Sequence, residues 1–202
     1  MATRPLIALR FQRAELEAKA ELGEAARSLL AANPQPGTLI PALVEAGLHR
    51  DAMCALALML PHRQVVWWGC LAARTLPDLD RRPADLAAVA AAEAWVQGPR
   101  GEEAERAGEA ASQAGLDRAP GWVATAAAWT GPSLAPRGQA AVPPAPYLPG
   151  LAVRTALFLL AGDPALGGRL GLADWLTIGT TLMHGDTGMA ALGLLRQRLA
   201  GG

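Results

Sequence analysis

Residues 60–74, LPHRQVVWWGCLAAR, set two tryptophans side by side in a stretch that is otherwise typical of an α-helix. Neighbouring residues on a helix point about 100° apart, so a single packing face cannot cover both rings. Two stripes carry the rings: Val65, Trp68 and Ala72 form one, and Trp67, Leu71 and Arg74 form the other. We therefore predict a central helix opened by Pro61, with Trp68 in the core and Trp67 partly accessible.

The composition around this segment favours helices. Alanine, the best helix former, is the commonest residue, whereas isoleucine, which favours strands, is scarce. We predict an all-α protein, an irregular bundle of about eight or nine short helices with HEAT-like pairing. Large rings must fill the space that alanines leave open, and the further rings expected in the core are Trp95, Trp122, Trp129 and Trp175.

Breaks in the helical pattern divide the chain into four segments. One amphipathic helix is expected over residues 11–32, inside an N-terminal segment that ends at residue 37 after the turn NPQPG. Residues 38–130 are predicted to form the helical core. Residues 131–150 are rich in proline and are predicted to form an extended strap, and residues 151–202 to form helices that pack on the same core.

Particular residues are expected to begin helices or to anchor the strap. Thr38 and Asp51 are predicted N-caps, because their side chains can accept hydrogen bonds from free backbone N–H groups. Val142, Tyr147 and Leu148 are expected to anchor the strap in grooves between helices, since they are its large apolar side chains near the following helix. The strap is thus predicted to lie on the helical surface.

Charge and hydropathy exclude several classes of function. The 18 lysine and arginine residues balance 18 aspartate and glutamate residues, and no stretch is strongly basic, so nucleic-acid binding is not expected. The longest apolar runs are far shorter than the ~20 residues that span a bilayer, so no membrane span is expected. The N-terminal residues lack the apolar region of a secretory signal, and two cysteines are too few for a disulfide scaffold; both observations indicate a cytoplasmic protein.

The candidate metal ligands do not form a recognisable site. They are His49, His62, His184, Cys54 and Cys70, and their spacings match no standard ligand pattern, so no metal or other cofactor is expected. Both cysteines lie in apolar helical segments, where a thiol is typically buried and slow to react.

The fragment MHGDTG, residues 183–188, resembles a catalytic site more than any other stretch does. Its glycine can end one helix and Asp186 can cap the next, which explains the fragment without chemistry. No nucleophile or phosphate-binding motif is present, so we predict a protein that is not an enzyme. The alternative is a small enzyme in which His184, Asp186 and either Arg63 or Arg74 converge in a concave site.

Four segments resemble an uncharacterised bacterial family of small Ala-rich helical proteins. They are LPHRQVVWWGCLAAR, AAEAWVQGPRGEEAERAGEAASQAG, PGWVATAAAWTGPSLAP and VPPAPYLPG, and the first fits the family's Leu-Pro-x-Arg-x-x-Val-Trp-Trp-x-Cys segment. The resemblance covers roughly residues 50–160. Genes of this family often lie near components of type VI secretion systems, so the resemblance implies an accessory or adaptor role and assigns no catalytic residue.

The sequence therefore favours a cytoplasmic adaptor or chaperone-like protein with a protein partner. The resemblance implies a secretion-system effector or spike component as that partner. We expect Trp67, Arg63 and Arg74 to contribute to the binding surface, because tryptophan and arginine are favoured interface anchors. The strap is the other candidate interface. A purely structural bundle that dimerises through its tryptophan-bearing face remains an alternative.

Overall fold

Every regular element in the described part of the chain is helical. The structure is a computed structural model that describes residues 5–135 and 138–201, and it has no strand in those ranges. Its eleven α-helices there exceed the eight or nine expected: α1 Arg13–Lys19, α2 Glu24–Ala32, α3 Pro36–Glu45, α4 His49–Met59, α5 His62–Ala73, α6 Pro83–Gln97, α7 Gly101–Ala114, α8 Ala119–Ala128, α9 Leu148–Ala161, α10 Leu172–Met183 and α11 Met189–Ala200. Two short 3-10 turns, Leu79–Arg81 and Pro164–Leu166, complete the described elements.

The N-terminal segment forms two helices, which corrects the single helix expected over residues 11–32. Glu21 adopts a left-handed backbone conformation with φ of 53°, which ends the first helix. The N–H of Gly23 then donates to Oδ1 of Asp51 over 2.7 Å. Alternating charges continue across this break, so the sequence pattern does not reveal it.

Both predicted N-caps are wrong. α4 begins at His49, so Asp51 lies inside its first turn, where it is buried and accepts the hydrogen bond from Gly23. α3 begins at Pro36, and the hydroxyl of Thr38 donates to the carbonyl of Gln35 within that helix's first turn. A proline fits the first helical position without losing a hydrogen bond, which explains the earlier start.

The core is centred on α4 and α5. Every residue of α4 from Asp51 to Met59 is buried, and α5 contacts α6, α8, α9, α10 and α11. Trp68 is 0% exposed, and its indole N–H donates to the carbonyl of Trp175 over 2.8 Å. Gly179 in α10 lies against the Trp68 ring so closely that a Cβ there would overlap it. The central helix predicted from the tryptophan pair is therefore enclosed by neighbours on several sides.

The strap begins as irregular chain on the helical surface and ends as helix. The N–H of Leu134 donates to the carbonyl of Val142 over 2.8 Å, and the hydroxyl oxygen of Ser133 accepts from the N–H groups of Ala135 and Val142. The Val142 side chain is 52% exposed, so it is not the anchor that we expected. Tyr147 and Leu148 are partly buried, and Leu148 already begins α9.

The C-terminal helices pack on the central pair. α9 contacts α4, α5 and α8, and α10 contacts α4 and α5. α11 packs more lightly, against α10 and α5. Within the described residues, no helix combines the length and the apolar character needed to cross a membrane.

Candidate functional site

A groove of about 710 Å³ lies between α7, the end of α8 and the strap; we call it the strap groove. Its floor consists of small side chains and one ring, from Ala104 and Gly108 on α7 and from Ala128 and Trp129 at the end of α8. Binding pockets for organic ligands fall in the same range of about 300–1,000 Å³. The groove is therefore large enough to receive several side chains of another molecule.

The walls of the strap groove carry exposed leucines. Leu116, in the turn between α7 and α8, is 49% exposed, and Leu134 in the strap is 42% exposed. The indole N–H of Trp122 donates to the Leu116 carbonyl over 2.8 Å, which fixes that turn. These two leucines give the concave surface apolar area that a partner could bury.

Trp122 and Trp129 lie at the edge of the core. Their rings meet edge to face, with centroids 6.3 Å apart and an interplanar angle of 81°. Both pack against the core but remain partly exposed, whereas Trp95 and Trp175 are buried. The expected core packing therefore holds for Trp122 and Trp129 at the edge of the core, and the Trp129 ring also lines the strap groove.

The strap groove has an acidic side. Glu105 and Glu109, one helical turn apart on α7, both line it. Arg106, on the same helix, forms ion pairs with Glu102 and Glu103. Among the described residues that line the groove, none is a lysine, arginine or histidine.

The polar groups around Trp67, where the sequence predicts a binding surface, form hydrogen bonds within the chain. Trp67 is partly exposed, and its indole N–H donates to the Thr187 carbonyl over 2.8 Å. Arg63 donates to the Val96 carbonyl over 2.7 Å. Arg74 forms two hydrogen bonds with Glu93, at 2.8 and 2.6 Å, and these bonds raise the pKa of its guanidinium.

The comparison with known proteins places the chain in a family. Residues 39–183 match the model of DUF6931, described as a family of unknown function. The chain belongs to this family. No curated protein and no solved structure matches it. The DUF6931 region runs from α3 to the end of α10 and so contains both the strap groove and Trp67, whereas α1, α2 and α11 lie outside it.

A charged cluster in the DUF6931 region joins four parts of the fold. The guanidinium of Arg118, which precedes α8, pairs with Asp78, with Asp85 in α6 and with Asp163 after α9. Burial alone would raise the pKa of Asp78, but hydrogen bonds from Arg82 and Arg118 outweigh burial and lower it. A cavity of about 310 Å³ adjoins this cluster. Because each carboxylate lies on a different segment, these ion pairs hold the segments together. We call the cluster the Arg118 clamp.

His184 contacts the N-terminal part of the chain, and Asp186 contacts its neighbour Thr187. A ring nitrogen of His184 lies 3.3 Å from the Pro5 carbonyl oxygen, and Asp186 Oδ1 accepts from the N–H of Thr187. Neither residue is among the described residues that line the two cavities. Since Arg63 and Arg74 bond to Val96 and Glu93, the described contacts do not bring the proposed catalytic set together.

Both cysteines are free and buried. Burial raises the pKa of the Cys54 thiol and raises that of Cys70 well above its usual value, so the reactive thiolate is disfavoured at both. Within residues 5–135 and 138–201, no group of three histidine, cysteine, aspartate or glutamate side chains is placed to hold a metal ion.

The sequence-based interpretation did not identify the strap groove. It recognised the strap but had no means of pairing it with α7, because Gly131 lies beside Ala104, which is distant from it in the chain. The combination of an acidic helix, a tryptophan and a proline-rich segment was the available signal.

Proposed function

We propose that this DUF6931 protein is a helical adaptor or chaperone-like accessory protein that holds a protein partner in the strap groove. The observation that carries the proposal is the groove itself, an open space of about 710 Å³ with small residues on its floor and exposed leucines on its walls. The α7 residues that line the groove run from Ala104 to Ser112, about two helical turns, so a polypeptide segment could lie along this helix.

The energetics of apolar burial support a protein partner. Burying an exposed leucine side chain completely contributes about 1.5–3 kcal/mol, and Leu116 and Leu134 are both available for this. Trp129 on the floor belongs to the residue type most enriched at the energetic centres of interfaces. By contrast, the polar groups around Trp67 already bond within the chain.

We further propose that the partner is an effector or spike component of a type VI secretion system, met in the cytoplasm. Support for this comes from the sequence resemblance around the tryptophan pair. We also propose that α6 to α9 pair in a HEAT-like manner, since each of these helices packs on the next one along the chain. Such pairing would leave one face of the α7–α8 pair for the strap and for a ligand.

Site-specific photocrosslinking in the native bacterium tests the proposal. A photoreactive residue at Gln139, which lines the strap groove, should capture a partner, and one at Gln197 on the exposed side of α11 should not. The captured protein should disappear when Leu134→Asp is added to the Gln139 variant. Capture from Trp67 but not from Gln139 would place the interface on the other surface and would contradict the groove assignment.

A further inference from the structure

We infer that the outer edge of the strap is a second binding surface, one that fits a partner domain with a groove lined by aromatic side chains. The surface consists of Pro143 and Pro146, and we call it the proline edge. Both prolines are exposed, and neither is among the residues that line the strap groove. This inference goes beyond the proposed function, because the proline edge and the strap groove would bind different partners.

Proline sterics hold this part of the strap in an extended conformation. Each proline ring fixes its own φ at about −65°, and the residue before a proline is restricted to extended conformations. Every residue of the segment VPPAP, residues 142–146, is either a proline or the residue before one. Residues 141–145 accordingly form no helix or strand. The segment is therefore typical of a polyproline II helix, which has three residues per turn.

The burial of the segment follows this period of three. Pro143 and Pro146 are exposed, whereas Pro144 and Ala145 between them are partly buried. Positions three residues apart lie on the same edge of a polyproline II helix. The two exposed prolines thus form one ridge that faces solvent, while the residues between them lie toward the protein.

Hydrogen bonds hold both ends of the segment in place. The N–H of Val142 donates to Oγ of Ser133 over 3.0 Å, and the carbonyl of Val142 accepts from the N–H of Leu134 over 2.8 Å. At the other end, the carbonyl oxygen of Pro146 lies 2.8 Å from Nε2 of the His62 ring. A segment that is already fixed in its bound shape loses little conformational entropy on binding, so the proline edge is preorganised.

The backbone of the proline edge indicates the kind of partner. A segment that adds to a β-sheet must donate N–H groups along its length, but within residues 143–146 only Ala145 carries one. In the part of the chain that the structure describes, no hydrogen bond reaches the carbonyl oxygens of Pro143 and Pro144. Domains that bind polyproline II segments pack the proline rings against aromatic side chains, and a tryptophan N–H or tyrosine hydroxyl there could donate to these carbonyls. The partner should therefore offer an aromatic groove and not a sheet edge.

Photocrosslinking combined with a proline peptide tests this inference. The full chain carries a photoreactive residue at Ala140, which is exposed three residues before Pro143 and does not line the strap groove, and it is irradiated in an extract of the native bacterium. Capture of the partner should decrease as decaproline is added, because this peptide presents the same ridge, and should not respond to a Gly-Ser peptide of equal length. Decaproline absorbs no light where tryptophan and tyrosine do, so it should also change the intrinsic fluorescence of the purified captured protein if it enters an aromatic groove.

A double variant assigns the binding to the two proline rings. Pro143→Ala, Pro146→Ala should weaken binding of the captured protein about tenfold in isothermal titration calorimetry, because each substitution removes apolar carbon atoms from the contact. The double variant Pro77→Ala, Pro164→Ala is the matched control, since these prolines are also exposed but lie outside the strap. Circular dichroism of each variant checks that it remains folded.

The outcomes separate this inference from the proposed function. Capture from Ala140 should survive Leu134→Asp, the change that is expected to remove capture from Gln139. Decaproline-sensitive capture from Ala140 without any capture from Gln139 would support the proline edge and overturn the proposed function alone.

Four results would overturn the proline edge as a binding surface. They are no capture from Ala140, capture that decaproline does not reduce, unchanged fluorescence of the captured protein on addition of decaproline, and equal binding by the Pro143→Ala, Pro146→Ala variant. An equal loss of capture from Gln139 in that variant would assign its effect to the strap groove and would also overturn the inference.

Discussion

At the scale of single residues, the two tryptophans lie in different environments although they are neighbours on the same helix. Trp68 is fully buried and bonded to the Trp175 carbonyl, so Trp68→Ala should lower the free energy of unfolding by about 3–5 kcal/mol. Trp67 is partly exposed, and Trp67→Ala should cost about 1–2 kcal/mol. Urea denaturation of both variants measures the difference. A larger loss for Trp67→Ala would contradict the burial assignment.

His62 supplies a pH dependence at the same scale. Its ring bonds to the Pro146 carbonyl at 2.8 Å, and burial lowers its pKa below the usual value of about 6.5. Below that pH the unfolded chain gains a proton that the folded chain resists, so stability falls as the pH drops through about 6.5. His62→Gln keeps a donor for Pro146 and should flatten the decline in melting temperature between about pH 7.5 and 5.5. His184→Gln is the control. If it flattened the pH dependence of the melting temperature equally, a specific role for His62 would be excluded.

At the scale of elements, the sequence predicted helices well and their connections poorly. The helical class follows from alanine content and proline spacing, which are local properties. The break at Glu21 and the buried position of Asp51 depend on each other through the Gly23 hydrogen bond, a contact between distant parts of the chain. Local patterns carry no information about such a contact. The strap groove was missed for the same reason.

The Arg118 clamp is the clearest link between elements, and its removal should be costly. Arg118→Ala leaves three clustered carboxylates without their shared cation, and loss of one partner from a buried ion pair typically costs about 3–5 kcal/mol. The Arg118 side chain is only 15% exposed, whereas that of Arg106 is 62% exposed, so Arg106→Ala should cost less than about 1 kcal/mol.

The pKa of Asp78 is lowered in the folded state, so the clamp stabilises the protein above the unfolded value of about 3.8 and loses this effect as the pH falls through the folded value. The deficit of Arg118→Ala in chemical denaturation should therefore persist at pH 4 and shrink only as the pH falls below about 3.8, and a deficit that grows on such acidification would contradict the clamp.

At the scale of the whole molecule, the family boundary coincides with a change in packing. α4 and α5, inside the DUF6931 region, are buried along most of their length. α1, outside it, buries only Leu16. Polar contacts hold the turn after α1, where Arg154 donates to the Lys19 carbonyl and pairs with Glu21 at 3.0 Å. The N-terminal helices therefore depend more on exposed polar contacts than the central helices do.

This difference in burial predicts the order in which the helices lose their protection from hydrogen exchange. Amides in α4 and α5 should exchange with solvent hydrogen only through global unfolding, because their apolar burial is lost only then. Amides in α1 should exchange faster through a local opening, since the pairs of Glu21 with Arg154 and Arg50 are partly exposed and weakened by salt. Glu21→Gln should speed exchange in α1 and leave α5 unchanged, and Glu24→Gln on α2 is the control. Native-state hydrogen exchange measures each helix separately. Equal protection of α1 and α5 would mean that the N-terminal helices unfold together with the DUF6931 core, and the packing boundary would then have no thermodynamic counterpart.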